Sequence, residues 1–308
     1  MKNRKVVLVG DGAVGSSFAY SLIQTVKTVE ELVIVDLNKE RSQGDVWDLQ
    51  DITPLTSDVT IRIGDYSDAA DAGIVVITAG VPRKPGETRL DLVNKNVKIL
   101  RSIVEPVVAS GFNGIFVVSA NPVDILTTMT QKISGFPKER VIGTGTFLDK
   151  ARLNIILGDH FGYKPSELDA LVLGEHGDTS FVNFDEAKVN GKRLLDEVEI
   201  SADLQAQIEA EVRGRGGKII GNKGATFYGV AYGLATIVRA ILENNYKMMV
   251  VSAPLTGQYG VSDLYLGTPA VLNSTGVAQV IETELSNREL EKMRHSAAQM
   301  QEVIDSIE

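Results

Sequence analysis

A strand that ends in a glycine-spaced turn and runs straight into a helix leaves a chain few ways to fold. Lys5 to Val9 is a short strand-like, mostly apolar run, Gly10-x-Gly12-x-x-Gly15 follows at once, and Ser16 to Val26 reads as a helix. Gly10 permits the tight turn, Gly12 lets a phosphate group approach the backbone, and Gly15 lets helix and strand pack closely. The helix N-terminus then turns its unpaired N–H groups toward that anion. A second strand, Glu31 to Val35, ends in Asp36, 21 residues after Gly15. A carboxylate there accepts hydrogen bonds from ribose hydroxyls and repels a 2′-phosphate, so the pattern points to NAD rather than NADP. The plainer alternative is that Asp36 caps the turn after its strand.

The alternation continues. Gln43 to Gln50 reads as helix, Val59 to Ile63 as strand, Asp71 to Ala79 as buried strand, Asp91 to Ala109 as long helix and Gly114 to Ser119 as buried strand. Strands alternating with helices predict an α/β fold with a doubly wound parallel sheet. Ligands in such sheets sit at the carboxyl ends of the strands. Asp36, Thr78-Ala79-Gly80, Ser119 and Asn121 all fall there. With 308 residues the chain has room for about two domains. The expected division is a nucleotide-binding domain over 1–143 and a substrate-binding, catalytic α+β domain over 144–308.

Composition narrows the function. No apolar run approaches the roughly 18–20 residues of a membrane span, and the run after the basic Met1–Lys5 segment is too short for a signal peptide. Zero cysteines exclude disulfides and thiolate metal sites. A net charge of −9 argues against a general nucleic-acid binder. A cytoplasmic protein with no membrane or nucleic-acid partner is the expectation.

The second half carries the reactive residues. An apolar run, Leu168 to Leu173, leads into Gly174-Glu175-His176-Gly177-Asp178. Histidine exchanges a proton near neutral pH, and flanking glycines let a substrate come close. His176 is either that acid/base or a structural histidine in a tight turn. The other two histidines, His160 and His295, lie on predicted helices and read as structural or surface residues. Asp149 and Arg152 are three apart and share a helical face. They form either a surface ion pair or a working pair, with Asp149 orienting His176 as in triad logic and Arg152 gripping a carboxylate with two parallel hydrogen bonds. Val81 to Arg89 holds two prolines, a glycine and three cations, among them Arg83 and Arg89. It is a lid over an anionic substrate or a solvated basic loop. Beyond it, Ile200 to Lys218 reads as a helix interrupted by Gly214, Gly216 and Gly217; Ala225 to Glu243 and Leu285 to Ile307 read as helices; Met248 to Leu255 and Val271 to Val277 have strand character.

These stretches, together with Lys84–Leu92, Ala120-Asn121-Pro122-Val123-Asp124 and Gly143–Thr146, stand in the order of a known family and cover most of the chain. The sequence resembles the L-lactate/malate dehydrogenase family, most closely its bacterial L-lactate dehydrogenase branch. The resemblance implies that NAD is held by Gly10, Gly12, Ala13, Val14, Gly15, Asp36, Thr78, Ala79, Gly80, Ser119 and Asn121. It makes His176 the proton donor to a 2-oxo acid, Asp149 its partner, Arg152 the carboxylate binder and Arg89 the residue that polarises the carbonyl. Asn121 and Thr226 line the substrate site, no metal is needed, and a homotetramer is expected. Arg83 sits where malate dehydrogenases of the family carry arginine and many lactate dehydrogenases glutamine, which on local chemistry favours a second substrate carboxylate. Glu87 and Thr226 resemble the lactate branch, so pyruvate is the expected substrate, with oxaloacetate or a bulkier 2-oxo acid as alternatives. Asn154 and Asp169 stand where fructose 1,6-bisphosphate-activated members carry arginine and histidine, so activation by that effector is not expected.

Overall fold

The computed structural model describes residues 3–56, 58–82, 86 and 88–307, the side chain of Arg89 excepted. In chain order the strands are β1 (Lys5–Val9), β2 (Glu31–Val35), β3 (Thr60–Ile63), β4 (Ile74–Ile77), β5 (Ile115–Val118), β6 (Val141–Gly143), β7 (Leu168–Leu173), β8 (Phe181–Val189), β9 (Lys192–Arg193), β10 (Lys247–Thr256), β11 (Ser262–Asn273) and β12 (Gly276–Val280). The helices are α1 (Ala13–Thr25), α2 (Lys39–Thr56), α3 (Arg89–Ala109), α4 (Val123–Ser134), α5 (Phe147–Phe161), α6 (Leu194–Glu197), α7 (Ala202–Lys223), α8 (Tyr228–Leu242) and α9 (Asn287–Asp305).

The first six strands pair in parallel in the order β6-β5-β4-β1-β2-β3. Their near-continuous apolar sequences follow from burial on both faces. Val7, Val9, Val75 and Ile77 turn to one face, against α3, α4 and α9. Val6, Leu8, Ile74 and Val76 turn to the other, against α1, α2 and α8. The sheet does not stop at residue 143. Ser252 of β10 pairs antiparallel with Gly143 of β6, and β11 and β12 follow outward, giving nine strands in all. A second sheet, β7-β8-β9, forms its own core with α5 and α7 through Leu153, Leu157, Val172, Val182, Ile208 and Val212.

Two expectations change. The glycines of Arg213–Gly217 do not interrupt α7, which is helical throughout from Ala202 to Lys223. Its N-cap Ser201 accepts from Leu204 N–H and its first half is anchored by buried Ile208 and Val212, which carries the weaker glycine-rich half. The stretch Val271–Val277 is not one strand but the end of β11, a turn at Ser274–Thr275, and the start of β12.

Candidate active site

The glycine turn is built by contacts that tolerate no side chain. Gly10 has φ +99°, and a Cβ on it would lie 2.5 Å from the Ala79 nitrogen. A Cβ on Gly15 would lie 2.0 Å from the Gly10 carbonyl oxygen. Thr78 Oγ1 donates to that same carbonyl at 2.7 Å, so its hydroxyl supports the turn. Gly12 differs: nothing lies within 4 Å of the Cβ it lacks, which leaves open space at the start of α1. Asp36, at the end of β2, accepts from Asp11 N–H at 2.7 Å and from Asn38 N–H at 2.8 Å. It therefore ties the glycine turn to its own loop as well as facing the cleft.

That cleft is lined by Gly10, Gly12, Asp36, Thr78, Ala79 and Gly80, with Leu37, Tyr66, Ile99 and Ile103 as apolar walls. Leu37 is 100% exposed, an apolar surface waiting for a flat apolar partner. Open space at a helix N-terminus, a carboxylate at a strand end and apolar walls between them fit a dinucleotide. Ala13 and Val14 form the first turn of α1, where Val14 packs partly into the core.

The neighbouring cavity is lined by Ser119, Asn121, Arg152, His176 and Thr226, together with Leu148 and other residues of α5 and α8. His176 follows Gly174, whose φ of +86° turns the chain out of β7. A side chain there would collide with Ser296 Oγ at 2.9 Å. Ser296, on α9, accepts from Glu175 N–H at 2.7 Å and so pins the turn from behind. His176 Nδ1 lies 2.5 Å from Asp149 Oδ2, and Arg152 Nη1 donates to Asp149 Oδ1 at 2.9 Å. Asp149 is 4% exposed and Arg152 8%, so this is a buried pair and not a surface one. Because a carboxylate accepts, Nδ1 carries a hydrogen, and Nε2 is the nitrogen left for proton exchange.

Burial by itself would push the His176 pKa down. The Asp149 carboxylate outweighs it, Asp124 adds to the effect, Arg152 opposes it, and the imidazole sits above its ordinary value. Burial likewise opposes ionisation of Asp149, but His176 and Arg152 hold it below the usual carboxylate range.

Two polar residues to which the sequence assigns no role complete the frame. Asn96 of α3, 2% exposed, accepts from Val81 N–H at 2.9 Å and donates to the carbonyls of Val81 and Asn121 at 3.1 and 2.8 Å. It clamps Val81 to Asn121, whose bond to Pro122 is cis. Asp124 of α4, 1% exposed, accepts from His176 N–H at 2.6 Å. The signal for Asn96 was its place in the apolar stripe Val93, Val97, Leu100, and for Asp124 a carboxylate within Val123–Leu126. A polar group buried among apolar ones has a partner.

Comparison with known proteins now decides the family. Residues 4–143 match the model of the lactate/malate dehydrogenase NAD-binding domain, and residues 146–308 that of the lactate/malate dehydrogenase α/β C-terminal domain. The chain belongs to the lactate/malate dehydrogenase family. It is 60% identical to L-lactate dehydrogenase 2 of Lactobacillus acidophilus over 99% of both chains. It is 61% identical to an L-lactate dehydrogenase of Lactobacillus delbrueckii subsp. bulgaricus, again over 99% of both. The crystal structure of the minor L-lactate dehydrogenase of Enterococcus mundtii in its ligands-bound form superposes with a TM-score of 0.95 at 38% identity, covering 100% of this chain and 99% of that one.

Within that family, two further expectations concern this site. Arg83 and Glu87, and the side chain of Arg89, lie outside the described residues. Of the effector-position residues, Asn154 donates to the Leu168 carbonyl at 2.9 Å, and Asp169 is ion-paired with Lys150.

Proposed function

We propose that the chain is an NAD-dependent L-lactate dehydrogenase, interconverting pyruvate and L-lactate with His176 as the proton donor and acceptor. The observation that carries this reading is the buried chain of Arg152, Asp149 and His176 in a cavity beside the dinucleotide cleft. The relatives at about 60% identity, L-lactate dehydrogenases by name, favour pyruvate over oxaloacetate despite Arg83.

Residues 1–143 would form the NAD-binding domain. Gly10, Gly12, Ala13, Val14 and Gly15 would hold the pyrophosphate, Asp36 the adenine ribose, and Thr78, Ala79, Gly80, Ser119 and Asn121 the path to the nicotinamide. When bound, the cofactor supplies or accepts the hydride. The rest of the work falls to side chains of this protein, those of 144–308 above all. Arg152 has one nitrogen on Asp149 and keeps other N–H groups for the substrate carboxylate. His176, protonated, places Nε2–H at the substrate oxygen and releases the proton as negative charge develops there. Asp149 stabilises the imidazolium until then. Arg89, as the family resemblance implies, would supply a positive charge to the same oxygen. Thr226 lines the space for the substrate's methyl group. His176→Ala is expected to lower kcat/KM for pyruvate by about 10²–10⁴-fold, and unchanged turnover would overturn the assignment. NADH oxidation assayed with pyruvate and with oxaloacetate tests the substrate. A higher kcat/KM with oxaloacetate would make Arg83 dominant and the chain a malate dehydrogenase.

We further infer a cytoplasmic homotetramer without fructose 1,6-bisphosphate activation. Among the described residues no helix is long and apolar enough to cross a membrane. Tyr20, Trp47, Leu55, Tyr228 and Tyr232 are exposed on α1, α2 and α8, and burying such a set is the usual gain of assembly. Light scattering should return four times the chain mass. Asp169 opposes a phosphate at the effector position, so a large drop in the half-saturating pyruvate concentration on adding the bisphosphate would refute that part.

A further inference from the structure

Asp124 belongs to neither ligand set described above. Its carboxylate reaches three elements at once. It sits in the first turn of α4, Oδ2 accepts the His176 backbone N–H at 2.6 Å, and Oδ1 accepts the hydroxyl of Ser252 on β10. Ser252 is wholly buried and is the β10 residue that registers against Gly143 of β6. The group is thus fixed to the sheet on one side and to the reactive turn on the other. A carboxylate buried this deeply carries a charge that water does not screen, and the imidazole three bonds beyond that amide feels it.

We propose that Asp124 is a positioning residue for His176: it holds the turn by the histidine's own amide and supplies a second fixed negative charge behind the imidazole. This rests on His176 being the proton donor. The groups facing His176 are Asp149 and Arg152 from α5 and Asp124 from α4, and those facing Asp124 are His176 and Asp149, with neutral Ser252 from β10. Burial pushes the Asp124 carboxyl up to about 6, against the Ser252 hydroxyl and the His176 amide, which pull it down. It is therefore mainly ionised at neutral pH and favours the imidazolium there. Asp149 orients the ring through Nδ1, while Asp124 fixes the backbone that carries it. The two carboxylates share the work of keeping the donor protonated while Arg152 opposes it.

The discriminating variant is Asp124→Asn. Its side-chain oxygen can still accept from His176 N–H and its amide can still meet Ser252, so the contacts survive and the charge goes. Two readouts are needed. The first is the NMR titration of the His176 imidazole in the free enzyme, assigned among three histidines by loss of its signal in His176→Gln. The second is the pH profile of kcat/KM for pyruvate. The expected result is an imidazole titrating about one unit lower and a high-pH limb moved down with it, so activity falls ~tenfold above the limb and little below it. A uniform loss at every pH with an unmoved imidazole would make Asp124 merely structural and overturn the proposal, as would wild-type behaviour in both readouts. Should Asp124→Asn fail to fold, Ser252→Ala keeps the carboxyl but removes its hydroxyl donor. The Asp124 carboxyl then takes up its proton more readily, and the imidazole should again titrate lower, by less. An unmoved imidazole in that variant overturns the proposal. The NMR titration does not depend on turnover, so an enzyme inactive on pyruvate would refute the functional reading without deciding this one.

Discussion

Asp149 is the residue on which the site's electrostatics turn, because one buried carboxylate serves both His176 and Arg152. Removing its charge while keeping its shape should separate those duties. In Asp149→Asn the group that most raises the His176 pKa is gone, so the high-pH limb of pyruvate reduction should move to lower pH. Arg152 also loses its counter-charge, so KM for pyruvate should change as well as kcat. A variant with an unmoved limb would show that Asp149 does not govern the imidazole. A different carboxylate illustrates the reverse sign. Asp11, in the glycine turn, is 1% exposed. Burial, opposed first by Ser42 and then by Arg41, with Asp45 adding to it, pushes it up to about 7 from 3.8. Its folded pKa lies above its unfolded one, so the folded state binds the extra proton between those values. Stability therefore falls as pH rises from about 4 to 7 and stays reduced above that. Asp11→Asn cannot ionise and should melt several degrees higher than wild type at pH 8, with the gain vanishing near pH 4. Equal melting temperatures at pH 8 would show that the buried carboxyl is solvated after all.

At the scale of elements, legibility followed how local the cause was. The run from β1 through the glycines to β2 and Asp36 was readable because most of it answers to contacts within the same βαβ unit, Gly15 against the Gly10 carbonyl and Asp36 on the Asp11 N–H, while Gly10 also abuts Ala79 beyond β4. Strand β8 was not, since its first four residues, polar Asn183 included, are all buried and it bulges against β7 between Asp169 and Leu171. Asn96 and Asp124 acquire meaning from chain segments 15 to 128 residues away. The glycine turn allows a test of two kinds of glycine. Gly15→Ala puts a Cβ against the Gly10 carbonyl and should destabilise the fold by about 1–3 kcal/mol. Gly12→Ala meets open space and should leave the unfolding midpoint near wild type while weakening NADH binding, read by fluorescence titration. Unchanged NADH affinity in Gly12→Ala would mean that the phosphates do not approach there. Helix α7 offers a third kind: Gly217 and Gly221 are helical with nothing within 4 Å of an added Cβ. Alanine at each should stabilise by roughly 0.5–1 kcal/mol, a gain seen as a higher denaturation midpoint.

For the whole molecule the decisive fact is that the sheet of the first half is completed by the second. The two family models meet between residues 143 and 146, which invites the view of two units joined end to end. The packing says otherwise. Strand β10 covers the edge of β6, and α8 contributes Ala231, Leu234, Ala235 and Val238 to the same core as Phe18 and Leu22 of α1. Helix α9 does the same on the opposite face, where Met293 and Met300 join the core of β1 and β4. A fragment of residues 1–143 would therefore expose the edge of β6 and two apolar faces, each costing about 25 cal/mol for every Å² returned to water, and an open strand edge invites pairing with other copies. The fragment should aggregate or give the circular dichroism of a loosely packed chain. The intact protein, whose cores cross residue 143, should unfold in one transition by fluorescence and by circular dichroism. Non-coincident transitions, or a monomeric 1–143 fragment with a sharp melt and native NADH affinity, would show the halves to be independent. In that event, the reach of Asp124 to Ser252 and to the His176 amide would be the joints that hold them in working register.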